Sequence, residues 1–299
     1  IFIVSNAGGS LTPLGDPPLF LGFLQGVDFF WTVGHLWQPT LFLIGVLLVL
    51  CFAIDSHYYA KEGVLPFDPT PDTQRIGFDG MVNFALLGAV VGLVLLSGMW
   101  KSPVVFVVAG ADVGLPGLVR DAGLLLVTAV SLLCTPAKVH ADNQFSWAPM
   151  QEVAKLFAGI FLTIIPVIAL LREGVNGPFG GVVAAVTRPD GSPDPAMYFW
   201  ATGLLSSFLD NAPTYLVFFN TAGGDAQTLM TTLAPTLAAV SAGAVFMGAN
   251  SYIGNAPNMM VKAIAEERGV AMPSFFGYMA WSCAVLVPLF VVMTFIWFT

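Results

Sequence analysis

The sequence predicts an all-α polytopic membrane protein that contains broken transmembrane helices and a re-entrant hairpin. Hydrophobic residues make up 57% of the 299 residues and charged residues only 9%, which is too little charge to cover a soluble surface of this size. Apolar segments of about 20 residues, the length that a helix needs to cross a bilayer, recur along the chain. Three polar stretches interrupt these segments, and they organise the rest of the chain.

The first polar stretch lies near the start of the chain, at residues 5–18. It holds three glycines and three prolines, and a helix cannot run through it because proline lacks the amide donor and glycine weakens helical conformation. Asp16 directly precedes Pro17 and Pro18, so it is predicted to be the N-cap of a half-helix. Unwound backbone at membrane depth is tolerated only where it is buried in protein or lines a wet cavity. The stretch is therefore predicted to form part of an ion or substrate site.

A second stretch, residues 248–258, repeats this pattern. The Gly-Asn-Ala-Pro of residues 254–257 aligns with the Gly-Asp-Pro-Pro of residues 15–18, and a long apolar segment begins about 21 residues after each motif. The shared residue types and spacing indicate an internal duplication. Two unrelated glycine- and proline-rich loops between ordinary helices are the alternative.

The third stretch, residues 206–214, lies between apolar arms of about 14 and 9 residues. Neither arm is long enough to cross a bilayer at 1.5 Å per residue. A re-entrant hairpin over residues 196–221 is therefore predicted, with its polar tip halfway into the membrane.

These elements divide the chain into part of a first repeat, a linker and a second repeat. Residues 1–54 are predicted to hold a broken helix (1–30) and a transmembrane helix (36–54), and residues 55–80 form a hydrophilic linker. The second repeat, 81–299, is predicted to contain helices 81–99, 117–135 and 152–171, the hairpin 196–221, a broken helix 229–267 and a helix 276–298. Residues 101–116 and 172–195 are predicted loops. Counting membrane sides makes the repeats inverted, as in many secondary transporters. Because the chain opens inside an apolar run without methionine, we expect it to lack the start of the first repeat.

Several other classes of function find no support in the sequence. It contains no GxSxG, HExxH or Walker motif, so no enzyme activity is predicted and no cofactor is expected besides coupling ions. It has no basic cluster for nucleic acid, and its three cysteines lack the spacing of a redox or metal site. A channel remains a less favoured alternative, because breaks at the midplane suit alternating access better than a continuous pore.

The three polar stretches supply oxygen ligands of the kind that sodium prefers. The candidate ion- or substrate-binding residues are Ser5, Asn6, Thr12, Asp16, Ser207, Asp210, Asn211, Thr214, Asn250, Ser251, Asn255 and Asn258, of which Asn6, Asp16, Asp210, Asn211 and Asn255 are predicted to bind sodium. Asp16 and Asp210 are the ionisable groups expected deepest in the bilayer, where a carboxylate is costly and marks function. The alternative is that these residues only cap broken helices.

These motifs resemble the ion-transporter superfamily that contains sodium-coupled carboxylate carriers, citrate transporters and NhaD-type sodium/proton antiporters. The broken-helix signature of that superfamily matches residues 8–18, and its hairpin tip matches residues 210–214; the closest resemblance is to the CitMHS-like branch and covers essentially the whole chain. The resemblance implies an inverted-repeat secondary transporter of the bacterial inner membrane that spans it several times and can form a homodimer. It also implies a first hairpin about 45 residues before Asp16, ahead of residue 1.

The chain departs from the carboxylate carriers at two acidic positions. Those carriers tend to have a neutral residue at the position of Asp16 and often serine at that of Asp210. An added anion repels a carboxylate substrate and attracts a cation or proton, so a sodium/proton antiporter is the first hypothesis. The alternative is a sodium- or proton-coupled citrate or dicarboxylate symporter, in which Asn6 and the backbone amides of 254–258 hold the carboxylates. Both hypotheses require the three polar stretches to lie together.

Overall fold

The computed structural model of the chain describes residues 1–62, 77–100, 102–108, 111–171, 173–267 and 269–299. Two compact units can be distinguished, one made of Ile1–Glu62 with Leu156–Thr299 and the other of Gly63–Lys155. Both are built from α-helices, with a single two-stranded sheet among the described residues. The predicted all-α membrane fold is confirmed.

The elements follow one another in this order: α1 (Pro17–Leu24), α2 (Trp31–Glu62), α3 (Val82–Met99), β1 (Val105–Val108), β2 (Ala111–Gly114), α4 (Leu115–Cys134), α5 (Ala137–Asp142), α6 (Ala148–Leu171), α7 (Gly180–Ala185), α8 (Pro195–Phe208), α9 (Asn211–Thr221), α10 (Ala226–Met230), α11 (Ala234–Met247), α12 (Ala256–Glu267) and α13 (Phe275–Trp297). Helices α2, α3, α4 and α13 are long and apolar enough to cross a membrane. They overlap four of the predicted spans, and α6 covers the predicted helix 152–171. Helices α8 and α9 form the predicted hairpin.

Helix boundaries differ from the prediction around the linker. Helix α2 begins five residues before the predicted span and continues to Glu62, so residues 55–62 are helical and not part of a linker. They contain no proline or glycine before Gly63, and nothing in them ends a helix. Helix α1 stops at Leu24, six residues early, and Gly26 follows in a left-handed conformation at φ 103°, as is common after a helix C-terminus. Residues 63–76 of the predicted linker lie outside the described residues, and residues 77–80 precede α3 without forming a helix.

Two further predicted elements are divided differently. The first half of the broken helix predicted over 229–267 is divided between α10 and α11, because Pro235 lies in the first turn of a new helix and cannot continue the preceding one. The loop predicted over 101–116 contains the antiparallel pair of β1 and β2, in which Val105 faces Gly114. A run of valine and phenylalanine favours strand conformation.

Helix α11 is the core of the first unit, since every residue from Thr236 to Met247 is buried. Small residues let α8 approach it closely: a Cβ atom on Gly243 would lie 2.5 Å from the Phe199 carbonyl oxygen. In the same way α9 packs on α1, where a Cβ atom on Gly22 would collide with the Tyr215 hydroxyl. Such small-residue contacts are typical of packed membrane helices. They hold the tip of the hairpin beside the first polar stretch.

In the second unit, α3 and α4 are joined by a hydroxyl and amide cluster. Asn83 accepts a hydrogen bond from Ser131 at 2.8 Å and donates one to Thr135 at 2.9 Å. None of the twelve candidate site residues lies in this unit.

Candidate functional site

The three polar stretches meet at the side chain of Asp16. Asn211, at the hairpin tip, donates a hydrogen bond to one carboxylate oxygen at 3.0 Å, and Asn255, from the second break, donates to the other at 3.2 Å. The donors lie 195 and 239 residues from Asp16 in sequence, so only the tertiary fold brings them together. The expectation that the three stretches lie side by side is met.

The backbone of the first break folds back on itself at two glycines. The chain runs through one turn of π-helix over Phe2–Asn6 and one of 3₁₀-helix over Ala7–Gly9 before α1 begins. A Cβ atom on Gly9 would lie 2.5 Å from the Gly15 carbonyl oxygen, and one on Gly15 would lie 2.5 Å from that of Gly9. Only glycine fits at both positions, because any larger residue would push the two backbone segments apart.

The second break makes the same backbone contact with the same spacing. Gly248 and Gly254 are six residues apart, as are Gly9 and Gly15, and a Cβ atom on Gly254 would collide with the Gly248 carbonyl oxygen. The duplication seen in sequence at residues 15–18 and 254–257 therefore extends back to Gly9 and Gly248. In this alignment Asp16 and Asn255 are equivalent residues.

Asp16 is the residue before α1, as predicted, but its carboxylate does not cap the helix. Its backbone is extended at φ −151° and its side chain makes no capping hydrogen bond. A capping side chain bonds the amide of the second or third helical residue, and Pro18 at the second position has no amide hydrogen. The carboxylate, 4% exposed, instead accepts from the two asparagine amides. The N-cap position of Asp16 was predicted correctly, but its side chain does not make the capping hydrogen bond that this position implies.

Asn255 connects the two breaks through its side-chain nitrogen. This nitrogen lies 2.9 Å from the carbonyl oxygen of Ser5, 3.2 Å from the side-chain oxygen of Asn6 and 3.2 Å from Asp16. Asn6 also donates to the side-chain oxygen of Asn258 at 2.8 Å. The breaks of both repeats are thus joined directly by buried amides.

Asn258 fixes the second break by bonding two of its carbonyl groups. Its side-chain nitrogen donates to the oxygens of Gly248 and Ser251, each at 2.9 Å. Because Asn6 bonds the other end of this amide, the shape of the second break depends on a side chain from the first.

Three more of the predicted residues form a neighbouring cluster against α8. Asn250 donates to the Ser207 hydroxyl at 2.9 Å, and the Ser251 hydroxyl donates to the Ser207 carbonyl oxygen. All three side chains are buried. This cluster attaches the second break to the first arm of the hairpin.

Asp210 and Thr214 have local contacts at the start of α9. The Asp210 carboxylate accepts from the amide of Ala212 at 3.0 Å, and the Thr214 hydroxyl donates to the Asp210 carbonyl oxygen at 2.9 Å. Asp210 is the N-cap of this helix and is half-buried. In the part of the chain that the structure describes, neither side chain bonds to Asp16. Thr12 is also half-buried and is tied to the break by its carbonyl oxygen, which accepts from Gly15.

Hydroxyl groups that were not predicted from the sequence hold the first break against α2. Ser10 lies 2.6 Å from the hydroxyl of Thr40, and Thr32 donates to the Leu11 carbonyl oxygen at 2.7 Å. Ser10 stands inside the motif of residues 8–18, so its position alone was a signal. Thr40 follows a proline within α2 and carries no comparable signal.

Two polar residues of α13 were also missed. Tyr278 donates to the Ala249 carbonyl oxygen at 2.8 Å, and Ser282 donates to that of Asn250. They are four residues apart in an otherwise apolar helix, which puts them on one face. That spacing could have identified them as partners of a polar break.

Several oxygens at this site have no hydrogen-bond partner among the described residues. They are the Ser5 hydroxyl and the side-chain oxygens of Asn211 and Asn250. The ion pairs found in the described ranges lie elsewhere, at Arg120–Asp121, Arg188–Asp194 and Lys262–Glu266. The site therefore combines one buried carboxylate with neutral amides, hydroxyls and carbonyl groups, which is a ligand set suited to a hard cation.

Comparison with known proteins places the chain in a family. No curated protein and no solved structure matched it. A family model, CitMHS_2, described as "Putative citrate transport", matches residues 1–298. This agrees with the resemblance carried by the broken-helix signature and the hairpin tip. With its apolar helices and the site at their breaks, the chain belongs to the CitMHS_2 citrate transport family.

Proposed function

We propose that the protein is a cation-coupled secondary active transporter in which Asp16 binds sodium and a proton in turn, and that it works as a sodium/proton antiporter by alternating access. The observation that carries the proposal is the surroundings of Asp16. Its carboxylate is 4% exposed and its bonded partners are the neutral amides of Asn211 and Asn255.

A buried carboxylate needs a compensating positive charge or a proton. Two amide donors stabilise a negative charge without cancelling it, and Asp16 is in none of the ion pairs found among the described residues. A cation or a proton can supply the missing charge, and the two compete for the same oxygens. Such competition is the basis of exchange between sodium and protons.

Oxygen atoms around Asp16 favour sodium as the cation. Asn211 uses its nitrogen to hold Asp16, while its side-chain oxygen is buried and has no partner among the described residues. The Ser5 hydroxyl is also buried and without a partner among the described residues, and the Ser5 carbonyl oxygen accepts a hydrogen bond from Asn255. Amide, hydroxyl and carboxylate oxygens are hard ligands of the kind that sodium takes.

The second candidate is cation-coupled uptake of citrate or a related carboxylate, which the family description favours. The backbone at the start of α12 could then bind the substrate carboxylates, since a helix N-terminus attracts anions. The negative charge of Asp16 repels a carboxylate substrate unless a cation or proton neutralises Asp16 first. In both candidates, therefore, Asp16 is the coupling group.

Transport by the full chain in everted membrane vesicles tests these candidates. Antiport predicts that sodium added outside drives protons out of the vesicles when no organic anion is present. Symport predicts uptake of labelled citrate that requires sodium or a proton gradient, and no sodium-driven proton flux in the absence of citrate.

Asp16→Asn is the decisive variant, because a fixed neutral group cannot alternate between sodium and a proton. It should abolish the flux and its dependence on pH. Asp225→Asn is the matched control: it removes an exposed carboxylate that caps α10 and should leave the flux unchanged. Full activity of Asp16→Asn would refute the proposal.

A further inference from the structure

Asn255 makes an unusual set of contacts, because its side-chain nitrogen has more acceptors than hydrogens. Three oxygens lie within 2.9 to 3.2 Å of it: the Ser5 carbonyl, the Asn6 side-chain oxygen and a carboxylate oxygen of Asp16. A primary amide carries only two hydrogens. One of the three oxygens is therefore always left without a full hydrogen bond.

The same three oxygens form a set that a cation could bind. They comprise a backbone carbonyl, an amide oxygen and a carboxylate, and the Ser5 hydroxyl, buried and without a partner among the described residues, adds a fourth on the same residue. A cation bonds all the oxygens around it at once, whereas the amide satisfies two. The nitrogen of Asn255, which carries a partial positive charge, thus lies at the point where these three oxygens converge.

We propose that the Asn255 amide occupies the place of the cation in the ion-free protein and competes with it. It holds the two breaks together while no ion is bound. When sodium enters, the oxygens of Ser5, Asn6 and Asp16 turn to the ion and the amide is released. This inference rests on the proposed function and adds a residue that sets how tightly the ion binds.

The other amide on Asp16 has a different role under this proposal. Asn211 bonds the opposite carboxylate oxygen and keeps its own oxygen unpartnered. It orients Asp16 and offers the ion a further ligand, so it supports binding. The two asparagines hold the same carboxylate and are expected to affect sodium in opposite directions.

Sodium titrations of three variants test this contrast, with the full chain in everted vesicles and, for binding alone, the purified protein in detergent. Asn255→Ala removes the competitor, so half-maximal sodium should fall roughly tenfold, the effect of one hydrogen bond to a charged group. Asn211→Ala should raise it by a similar factor. Asn255→Ser, which keeps one shorter donor, should lie between the wild type and Asn255→Ala.

The thermal stability of Asn255→Ala in the two salts gives a second test of the competition. Asn255→Ala leaves three oxygens unbonded in potassium salts, so it should unfold at a lower temperature there and recover in sodium, where the ion bonds them. If saturating sodium does not restore the unfolding temperature of Asn255→Ala, the ion does not replace the amide and the proposal is wrong.

The outcomes separate this inference from the proposed function. If Asn255→Ala binds sodium as the wild type does, or more weakly, while Asn211→Ala loses affinity, only the competition is refuted. If the wild type itself does not respond to sodium in flux or in stability, the proposed function fails and the inference fails with it.

Discussion

Replacing Gly15 by alanine tests the backbone contact that shapes the first break. The new Cβ would lie 2.5 Å from the Gly9 carbonyl oxygen and 2.7 Å from the Gly9 Cα, where ordinary contacts begin at 3.4 Å. The two segments would have to separate by about 0.9 Å, the difference between 3.4 and 2.5 Å. Both neighbours are backbone atoms, so no side chain can rotate away, and overpacking of this kind costs about 1–3 kcal/mol.

The same shift would disturb the ion site, because Gly15 adjoins Asp16. A displacement of that size takes the 3.0 Å bond from Asn211 to Asp16 beyond hydrogen-bonding distance. We expect Gly15→Ala to lower the unfolding temperature by several degrees and to reduce sodium-driven flux at least tenfold, roughly the loss of one hydrogen bond to a charged group. Thermal unfolding in detergent and vesicle flux measure the two effects.

A matched control comes from Gly45, in the interior of α2, where a Cβ atom would meet nothing within 4 Å. Gly45→Ala should be neutral or stabilising by up to about 1 kcal/mol, because alanine favours helix over glycine. Gly254→Ala, the counterpart of Gly15→Ala in the second break, should be as damaging as Gly15→Ala. Wild-type stability and flux in Gly15→Ala would refute the account of the crossing backbone.

Three further predictions concern polar contacts around the site and one exposed cap. Ser10→Ala leaves the Thr40 hydroxyl without its 2.6 Å partner and should lower the free energy of unfolding by about 1–3 kcal/mol, as measured by thermal unfolding. Thr128→Ala is the control, because it removes an exposed hydroxyl that bonds its own helix and should change the free energy of unfolding by less than about 0.5 kcal/mol. Ser282→Ala frees the Asn250 carbonyl oxygen and should weaken sodium binding without preventing folding; unchanged sodium titrations would show that α13 does not support the site. Hydrogen bonds from Thr228 hold the pKa of Asp225 below its ordinary 3.8. The ionised cap therefore stabilises the start of α10 fully at pH values above 3.8, and this stabilisation is lost as pH falls through the lowered pKa. Hydrogen exchange at the start of α10, corrected for its intrinsic pH dependence, should rise in acid for the wild type and stay level for Asp225→Asn.

Much of the fold could be predicted because membrane crossing imposes a length on apolar segments. The spans at α3, α4 and α13 start or end within two residues of their predicted limits, since charged residues, prolines and glycines mark their ends. The hairpin of α8 and α9 followed from arms too short to cross. The end of α2 was misjudged because residues 55–62 are polar but contain no helix breaker, and polarity alone does not end a helix.

The site could be predicted as a set of stretches but not as a set of bonds. Proline and glycine reveal where a helix must unwind, and repetition of the motif relates Asp16 to Asn255. Which amide bonds which oxygen depends on the packing of α1, α8, α9 and α11, and no local pattern encodes that. Asp210 illustrates the difference: like Asp16 it directly precedes a helix, yet it bonds its own helix, in which Ala212 supplies an amide at the position where Pro18 has none.

The central claim is that Asp16 binds the coupling cation, and thermal unfolding of the purified full chain in sodium against potassium chloride at equal ionic strength tests it most directly. A ligand at 100 times its dissociation constant stabilises a protein by about 2.7 kcal/mol. We therefore predict that sodium raises the unfolding temperature of the wild type by several degrees, and that Asp16→Asn unfolds at the same temperature in both salts. Equal stabilisation of Asp16→Asn by sodium, or none of the wild type, would contradict the account.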